Sequence, residues 1–307
     1  MSPALATLPM LSVDELEIAR FDTEGYLVCR GLVPGSSCDR LKAAFEDDIK
    51  PFRGVMARDT TREPEAHRFS ESGAIVNALL HPHDLTRKAF RPFRDACLHV
   101  LSSSALLHWA RRLIGADPVL VKSVYHESGT GKAPHADTHF MDSQLTGRMI
   151  GCWIALEDIA AQAGRFFVYP GSHRLHDATH FPEDAVEGFL AYESAMLEAI
   201  RGYYLEGDTA NLRAFELART RLADVIRGCR LACRTPELKK GDVLFWHART
   251  LHGSLKPKNP PRTRHSLTGH FIPAGSRLLR YHSEVEPVPA REVDGLWVRY
   301  RGGRHWS

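Results

Sequence analysis

The chain has 307 residues, 43% of them hydrophobic and 25% charged, an ordinary balance for a globular protein with a sizeable core. A formal net charge of only +3 argues against nucleic acid or an anionic membrane as a partner. No apolar run approaches the roughly 20 residues that span a bilayer. The six cysteines are scattered without a CxxC pair, which argues against a disulfide scaffold or a cysteine-rich zinc site and for a reducing cytoplasm.

The first residues, MSPALATLPMLSVDELEIARF, carry no basic segment and no long apolar stretch, so they read as a start without a secretory signal. Residues 13–20 form a predicted helix capped by Ser12, with Asp14, Glu15 and Glu17 near its start. GYLVCRGLV (25–33) alternates and reads as a strand. Residues 36–50 read as a helix with Leu41, Ala44 and Phe45 on one face, 51–75 as polar and irregular, and 84–115 as mainly helical. From Pro118 the period changes to two. Strands are predicted at 118–128, 148–159 and 164–173, the first followed by the turn GTGKAP and the last ending in a Pro-Gly turn. Residues 188–228 return to helical spacing, through Phe189, Tyr192, Met196, Ala199 and Ile200 and then Leu212, Phe215, Leu222 and Val225. This predicts a two-helix insertion broken near Gly207-Asp208. The β pattern resumes in CRLACRTPEL, GDVLFWHARTLHGS and RHSLTGHFIP, and the tail RYRGGRHWS is basic and reads as mobile. The expectation is a single α+β domain over 1–307 with a mainly β core, a barrel or sandwich, and helices at the N-terminal side.

His135 and Asp137, in KAPHADTHF, are two apart, so on an extended strand their side chains share a face and can converge on one ion. A histidine from a neighbouring strand would complete a facial triad. The candidates are His252, followed by Gly253 and Ser254, and His247, which odd spacing puts on the opposite face of a regular strand. His126, His139, His173, His265 and His270 read as packed or hydrogen-bonded. Two histidines and a carboxylate suit iron(II), with open positions for other ligands, and also suit a hydrolytic zinc.

These motifs, in this order, resemble the phytanoyl-CoA dioxygenase family of Fe(II)/2-oxoglutarate oxygenases, in the branch that includes ectoine hydroxylase. The resemblance covers roughly residues 18–275. It is carried by FDTEGYLVCRGLV, HAD, WIALEDIAAQAGRFFVYPGSH, KKGDVLFWHARTLHGS and RTRHSLTGHF. It implies a double-stranded β-helix of the jelly-roll or cupin type, with His135, Asp137 and His252 as ligands of Fe(II) and with 2-oxoglutarate and O2 as co-reactants. Arg264, rather than the nearby Arg262, would grip the distal carboxylate of 2-oxoglutarate, a task suited to a planar guanidinium. Ser254, Ser266, Trp153 and Lys122 would assist. A carboxylate at Asp137, where related halogenases carry Ala or Gly, implies hydroxylation of an unactivated C–H bond with release of succinate and CO2. Desaturation, cyclisation or epimerisation would start from the same site.

A small-molecule substrate is expected, with no nucleic acid and no membrane; a homo-oligomer fits this expectation equally well. Substrate contacts are expected from 51–80, from 138–144 and from the insertion, where Tyr203 and Tyr204 are candidates, with His67 and Arg68 as candidate anion binders. The many charges of the insertion read as a solvated outer face. A non-catalytic β-barrel sensor or a zinc hydrolase would leave Arg264 without a task.

Overall fold

The computed structural model describes residues 12–207, 211–258 and 262–300, so the tail beyond Tyr300 and the predicted break at Asp208 lie outside the described residues. Helix α1 (Val13–Glu24) begins at Ser12, whose hydroxyl accepts from the Glu15 N–H while the Glu15 carboxylate takes the Ser12 N–H at 2.7 Å, a reciprocal capping box. It runs a turn beyond the predicted end and stops at Gly25, whose φ of 75° is the left-handed cap conformation. Strand β1 (Tyr26–Cys29) and helix α2 (Gly35–Ala44) follow. The polar stretch after them holds a hairpin, β2 (Met56–Ala57) and β3 (Pro64–Glu65), and then β4 (Leu79–Leu80). The long helical stretch is two helices, α3 (Arg91–Leu101) and α4 (Ser104–Ile114).

Strands β5 (Pro118–Ser128), β6 (Met141–Ser143), β7 (Ile150–Ala155) and β8 (Phe166–Val168) lead to the helical pair α5 (Glu183–Tyr204) and α6 (Asn211–Gly228). The pair thus starts five residues before the predicted 188. Next come β9 (Val243–His247), β10 (His252–Ser254) and β11 (Thr263–Pro273). CRLACRTPEL forms no strand; Arg234 alone bridges to Val168. Four short strands not foreseen in the sequence close the described chain: β12 (Leu278–Arg280), β13 (Glu284–Glu286), β14 (Ala290–Val293) and β15 (Leu296–Arg299).

The large sheet has the order β1-β9-β7-β11-β5-β15-β14, with β4 also on β5, and is antiparallel except for the β15–β5 pair. Two smaller sheets, β10-β8 and β13-β12-β6, complete the β core. The large sheet has two different faces because side chains alternate along each strand. One face sends Tyr125, Ile150, Cys152, Phe245, Leu267 and Phe271 into the main apolar core, with Leu41 of α2, Phe93 and Leu101 of α3 and Leu106 of α4. The other face presents Lys122 and His126 of β5, Trp153 of β7, Trp246 of β9, and Arg264, Thr268 and His270 of β11 to a cavity. Phe166, His252 and Ser254, from the β8–β10 pair, line the opposite wall. No described helix is long and apolar enough to cross a membrane.

Burial of histidines is expected to make the fold acid-sensitive. His126 and His265 are 8% and 4% exposed. Burial, reinforced at His126 by Arg264, pushes them down to about 3 and about 4. Above the ordinary histidine value of about 6.5 both states of the chain are neutral there. As pH falls below it, the unfolded chain takes up protons that the folded chain cannot, so stability is lost between about pH 6.5 and 4. The urea midpoint is expected to correspond to roughly 2–4 kcal/mol less stability at pH 5 than at pH 7.5. An unchanged midpoint would contradict the burial of neutral imidazoles.

Candidate active site

His135 and His252 lie opposite each other in an antiparallel bridge, each N–H donating to the other's carbonyl at 3.0 Å. Ala136 is extended (φ −104°, ψ 138°) and buried, so His135 and Asp137 do share a face, although Asp137 already opens a short 3-10 turn. The ligand atoms of His135, Asp137 and His252 lie within 4.8 Å of one another. His135 Nδ1 donates to the Ala133 carbonyl and His252 Nδ1 to the Thr250 carbonyl, both at 2.9 Å. These bonds fix the tautomer and leave each Nε2 lone pair facing Asp137, at 3.8 and 3.7 Å. Burial lowers both imidazoles, which favours the neutral form that a metal ligand needs. Burial pushes the Asp137 carboxyl up, but the surrounding His252, His270 and His135 outweigh it and hold it well below the ordinary carboxylate range.

Asp137 is itself oriented by two residues that the sequence did not single out for this task. The Trp246 indole donates to Oδ2 at 2.8 Å, and His270 Nε2 lies 3.2 Å from the same oxygen. Trp246 in turn lies over Gly151, where an added Cβ would collide with the indole ring. Gly151→Ala is therefore expected to displace the ring, cost about 1–3 kcal/mol of stability and weaken metal binding about tenfold or more. Unchanged iron affinity in that variant would show that Trp246 does not set the carboxylate.

His247 is excluded from the cluster by more than strand alternation. The chain turns at 248–251 and passes from the large sheet to the small one, leaving His247 at the end of β9 beside His173, ring centroids 5.3 Å apart. The PGSH motif steadies that turn. The Ser172 hydroxyl donates to the Tyr169 carbonyl at 2.6 Å and accepts from the Leu251 N–H at 2.8 Å, immediately before His252.

Arg264 is 2% exposed and donates to the Gly164 carbonyl at 2.8 Å. Its Nε is buried without a partner, and burial alone pushes the guanidinium down to about 10. Among the described residues no carboxylate pairs with it. Trp153 lies beneath it, 5.6 Å from ring centroid to Cζ. Ser266, opposite His126 in the β11–β5 register, has a buried hydroxyl without a partner, as has His126 Nδ1. Ser254 lines the same cavity and accepts from the Lys132 N–H at 3.0 Å. Lys122 also lines it, but its ammonium pairs with Asp59 at 2.7 Å, and Lys132 holds the other oxygen of Asp59 at 2.9 Å. Burial raises the Asp59 carboxyl, yet these two cations hold it well below its ordinary range. Arg262 is exposed at the head of β11.

A second cavity, about 330 Å³, opens from His135 and Asp137 toward the surface. It is walled by all three segments expected to meet substrate: Asp59 and Arg62 from the β2–β3 turn, His139, Phe140 and Met141 after Asp137, and Met196, Tyr204, Phe215 and Arg219 from the insertion. Tyr203, His67 and Arg68 do not line it; His67 bonds Arg58 and the Ile49 carbonyl, and Arg68 faces solvent beside Glu65. Glu198, Arg201, Glu206, Arg213 and Arg221 of the insertion are exposed, as expected, but Glu193 turns inward to His176 at 2.8 Å and His139 at 3.5 Å. The apolar face of the helix pair packs on Ala136 and Leu251, next to the ligand-type residues.

The profile of the phytanoyl-CoA dioxygenase family matches residues 21–266. Phytanoyl-CoA dioxygenase domain-containing protein 1 of Bos taurus is 25% identical over 324 residues, covering 94% of this chain and all of that one. For its Danio rerio counterpart the figures are 24% over 187 residues, half (51%) of this chain and 64% of that protein. Among solved structures, the non-heme alpha ketoglutarate dependent epimerase SnoN from nogalamycin biosynthesis superposes with a TM-score of 0.58 at 16% identity, covering 95% of this chain and 97% of its own. EctD from S. alaskensis, solved with 2-oxoglutarate and 5-hydroxyectoine, gives 0.55 at 17% identity, covering 90% and 85%. These structures share the fold, and the profile match over most of the chain settles the lineage: this protein belongs to the phytanoyl-CoA dioxygenase family of iron- and 2-oxoglutarate-dependent oxygenases.

Proposed function

We propose that the chain is one double-stranded β-helix domain that acts as an Fe(II)- and 2-oxoglutarate-dependent dioxygenase and hydroxylates an unactivated C–H bond of a small metabolite, releasing succinate and CO2. The supporting observation is a single cavity that holds both a convergent His135–Asp137–His252 triad and an unpaired buried guanidinium. A zinc hydrolase or a passive binder has no use for the second feature. The donor set fits iron(II): two neutral Nε2 atoms and one carboxylate, each fixed by an outer hydrogen bond. When bound, the iron would, with 2-oxoglutarate and O2 as co-reactants, supply the oxidant that removes hydrogen from the substrate, one oxygen atom going to succinate and the other to the product.

The residues of the chain hold, orient and exclude water. Arg264 grips the distal carboxylate of 2-oxoglutarate from the closed end of the cavity, assisted by the Ser266 hydroxyl and His126. Trp153 stacks below the guanidinium and Phe166 lies against the His252 ring, 5.4 Å between centroids, so aromatic rings wall this end of the cavity. Ser254 stays engaged with the Lys132 backbone, and Lys122 with Asp59, so both shape the wall. The mouth lined by Phe140, Met196, Tyr204 and Phe215 aims the substrate.

Anaerobic Fe(II) titration with 2-oxoglutarate tests the reading. A visible charge-transfer band marks chelation of the cosubstrate, and iron binding without the band would refute it. Product mass then decides the outcome: a gain of one oxygen for hydroxylation, a loss of two hydrogens for desaturation or cyclisation, no change for epimerisation.

A further inference from the structure

The mouth cavity carries more positive charge than the proposed chemistry needs. Its wall holds Arg62, Lys122, Lys132 and Arg219 against Asp59 and Asp137. Iron(II), Asp137, Arg264 and a 2-oxoglutarate dianion together carry no net charge, and Asp59 offsets one of its two lysines. Arg62 is left over. It is half-buried, forms no ion pair among the described residues, and is lowered by burial despite Tyr204 and Asp59. Its guanidinium lies among three rings, 4.5 Å from the centroid of Tyr204, 5.1 Å from Tyr281 and 5.8 Å from Phe140, and donates to the Tyr281 hydroxyl. Arg280 donates to the same hydroxyl at 3.1 Å.

The backbone beneath this cluster is unusual. Arg62 (φ 62°), Tyr281 (φ 50°) and His282 (φ 52°) are all non-glycine residues in the left-handed region. Such backbone strain clusters at ligand clamps. Turn 58–63, which carries Arg62, is itself fastened by buried Arg58, bonded to the Asn77 carbonyl at 3.1 Å and to the Glu65 carbonyl through Nη2 at 3.1 Å. The turn therefore presents Arg62 rigidly, and the aromatic box holds the guanidinium without neutralising it.

Resting on the oxygenase reading above, we propose that Arg62 is the substrate anchor and that the substrate is a small molecule with an anionic oxyacid group, a carboxylate or phosphate, joined to an apolar body that lies along Phe140, Met196 and Phe215. The anion meets Arg62 at the mouth, and the apolar body reaches inward toward His135 and Asp137. The fork geometry of arginine favours two parallel hydrogen bonds to such a group.

The probes are 3-phenylpropionate, phenyl phosphate and neutral 3-phenylpropionamide, titrated by tryptophan fluorescence. Protein saturated anaerobically with Fe(II) and 2-oxoglutarate keeps Arg264 occupied; a metal-free Arg264→Leu variant removes it altogether. In both forms an acid probe is expected to bind about tenfold or more tightly than the amide. Preference for the phosphate over the carboxylate would identify a phosphate-bearing substrate, and the reverse a carboxylate. Arg62→Gln is expected to abolish the preference while still melting cooperatively, Arg62→Lys to keep part of it, and the exposed control Arg68→Gln to leave it intact. Equal binding of acid and amide by Arg62-intact protein, or a preference that survives Arg62→Gln, overturns the inference. If the charge-transfer band never forms but the Arg62-dependent preference persists in the metal-free protein, the oxygenase reading fails and the anion site stands.

Discussion

Replacing Asp137 by alanine is expected to abolish 2-oxoglutarate turnover and weaken iron binding by more than about a hundredfold, the upper range for losing an outer partner of a ligand. Asp137 supplies the negative charge among three donors that lie within 4.8 Å, and two imidazoles alone leave a divalent ion without a compensating charge. The fold should survive with a measurable cost. Removing the carboxylate strands the Trp246 indole N–H and His270 Nε2, which now bond it at 2.8 and 3.2 Å. A buried donor left unpaired costs about 1–3 kcal/mol. His135→Ala should match the catalytic loss without that stability cost, because its Nδ1 bond goes to a backbone carbonyl at a half-buried position. Succinate release in either variant at the wild-type rate, measured with the melting curve of the same sample, would remove the metal assignment.

The two motifs richest in polar residues were the most legible. HAD and the late histidine and arginine sit on extended backbone, where a period of two tells which side chains share a face; hence Lys122, Val124 and His126 line the cavity while Tyr125 joins the core. The helix capped by Ser12 and the helical pair were visible for the same reason, a local pattern with a local cause. What escaped was set by contacts distant in sequence. Nothing local marks Trp246, and only the fold places its N–H on Asp137, 109 residues away. Asp59 and Arg62 sit in a stretch with no periodicity, and only the turn conformation aims them at the cavity. The strands after Pro273 are three or four residues long, too short for a periodic signal, and Arg280 and Arg299 in them are held by Glu286 at 2.9 and 2.5 Å. Lys122, expected to assist in binding the cosubstrate, instead pairs with Asp59, which lies in that same unpatterned stretch.

Arg264→Leu is expected to separate cosubstrate binding from stability. The guanidinium forms charge-assisted, bidentate bonds to 2-oxoglutarate in the proposed complex, so its loss should raise the 2-oxoglutarate requirement by about 30-fold to 1,000-fold, as for truncation of one partner of a buried charge pair. In the cosubstrate-free protein the same side chain is a buried cation with no carboxylate, and burial has already pushed it down to about 10. Replacing such a charge by a shorter apolar group removes a desolvation cost of several kcal/mol and forfeits the bond to the Gly164 carbonyl at 2.8 Å and the stacking on Trp153. The variant should therefore melt no lower than wild type without 2-oxoglutarate, and should lose the upward shift that 2-oxoglutarate gives the wild type by mass action. Arg262→Gln, exposed at the strand head, should change neither quantity. If Arg264→Leu melts well below wild type in the absence of cosubstrate, the arginine is a structural strut and the anion it binds is part of the protein; if Arg262→Gln carries the larger 2-oxoglutarate defect, the anchor has been assigned to the wrong residue.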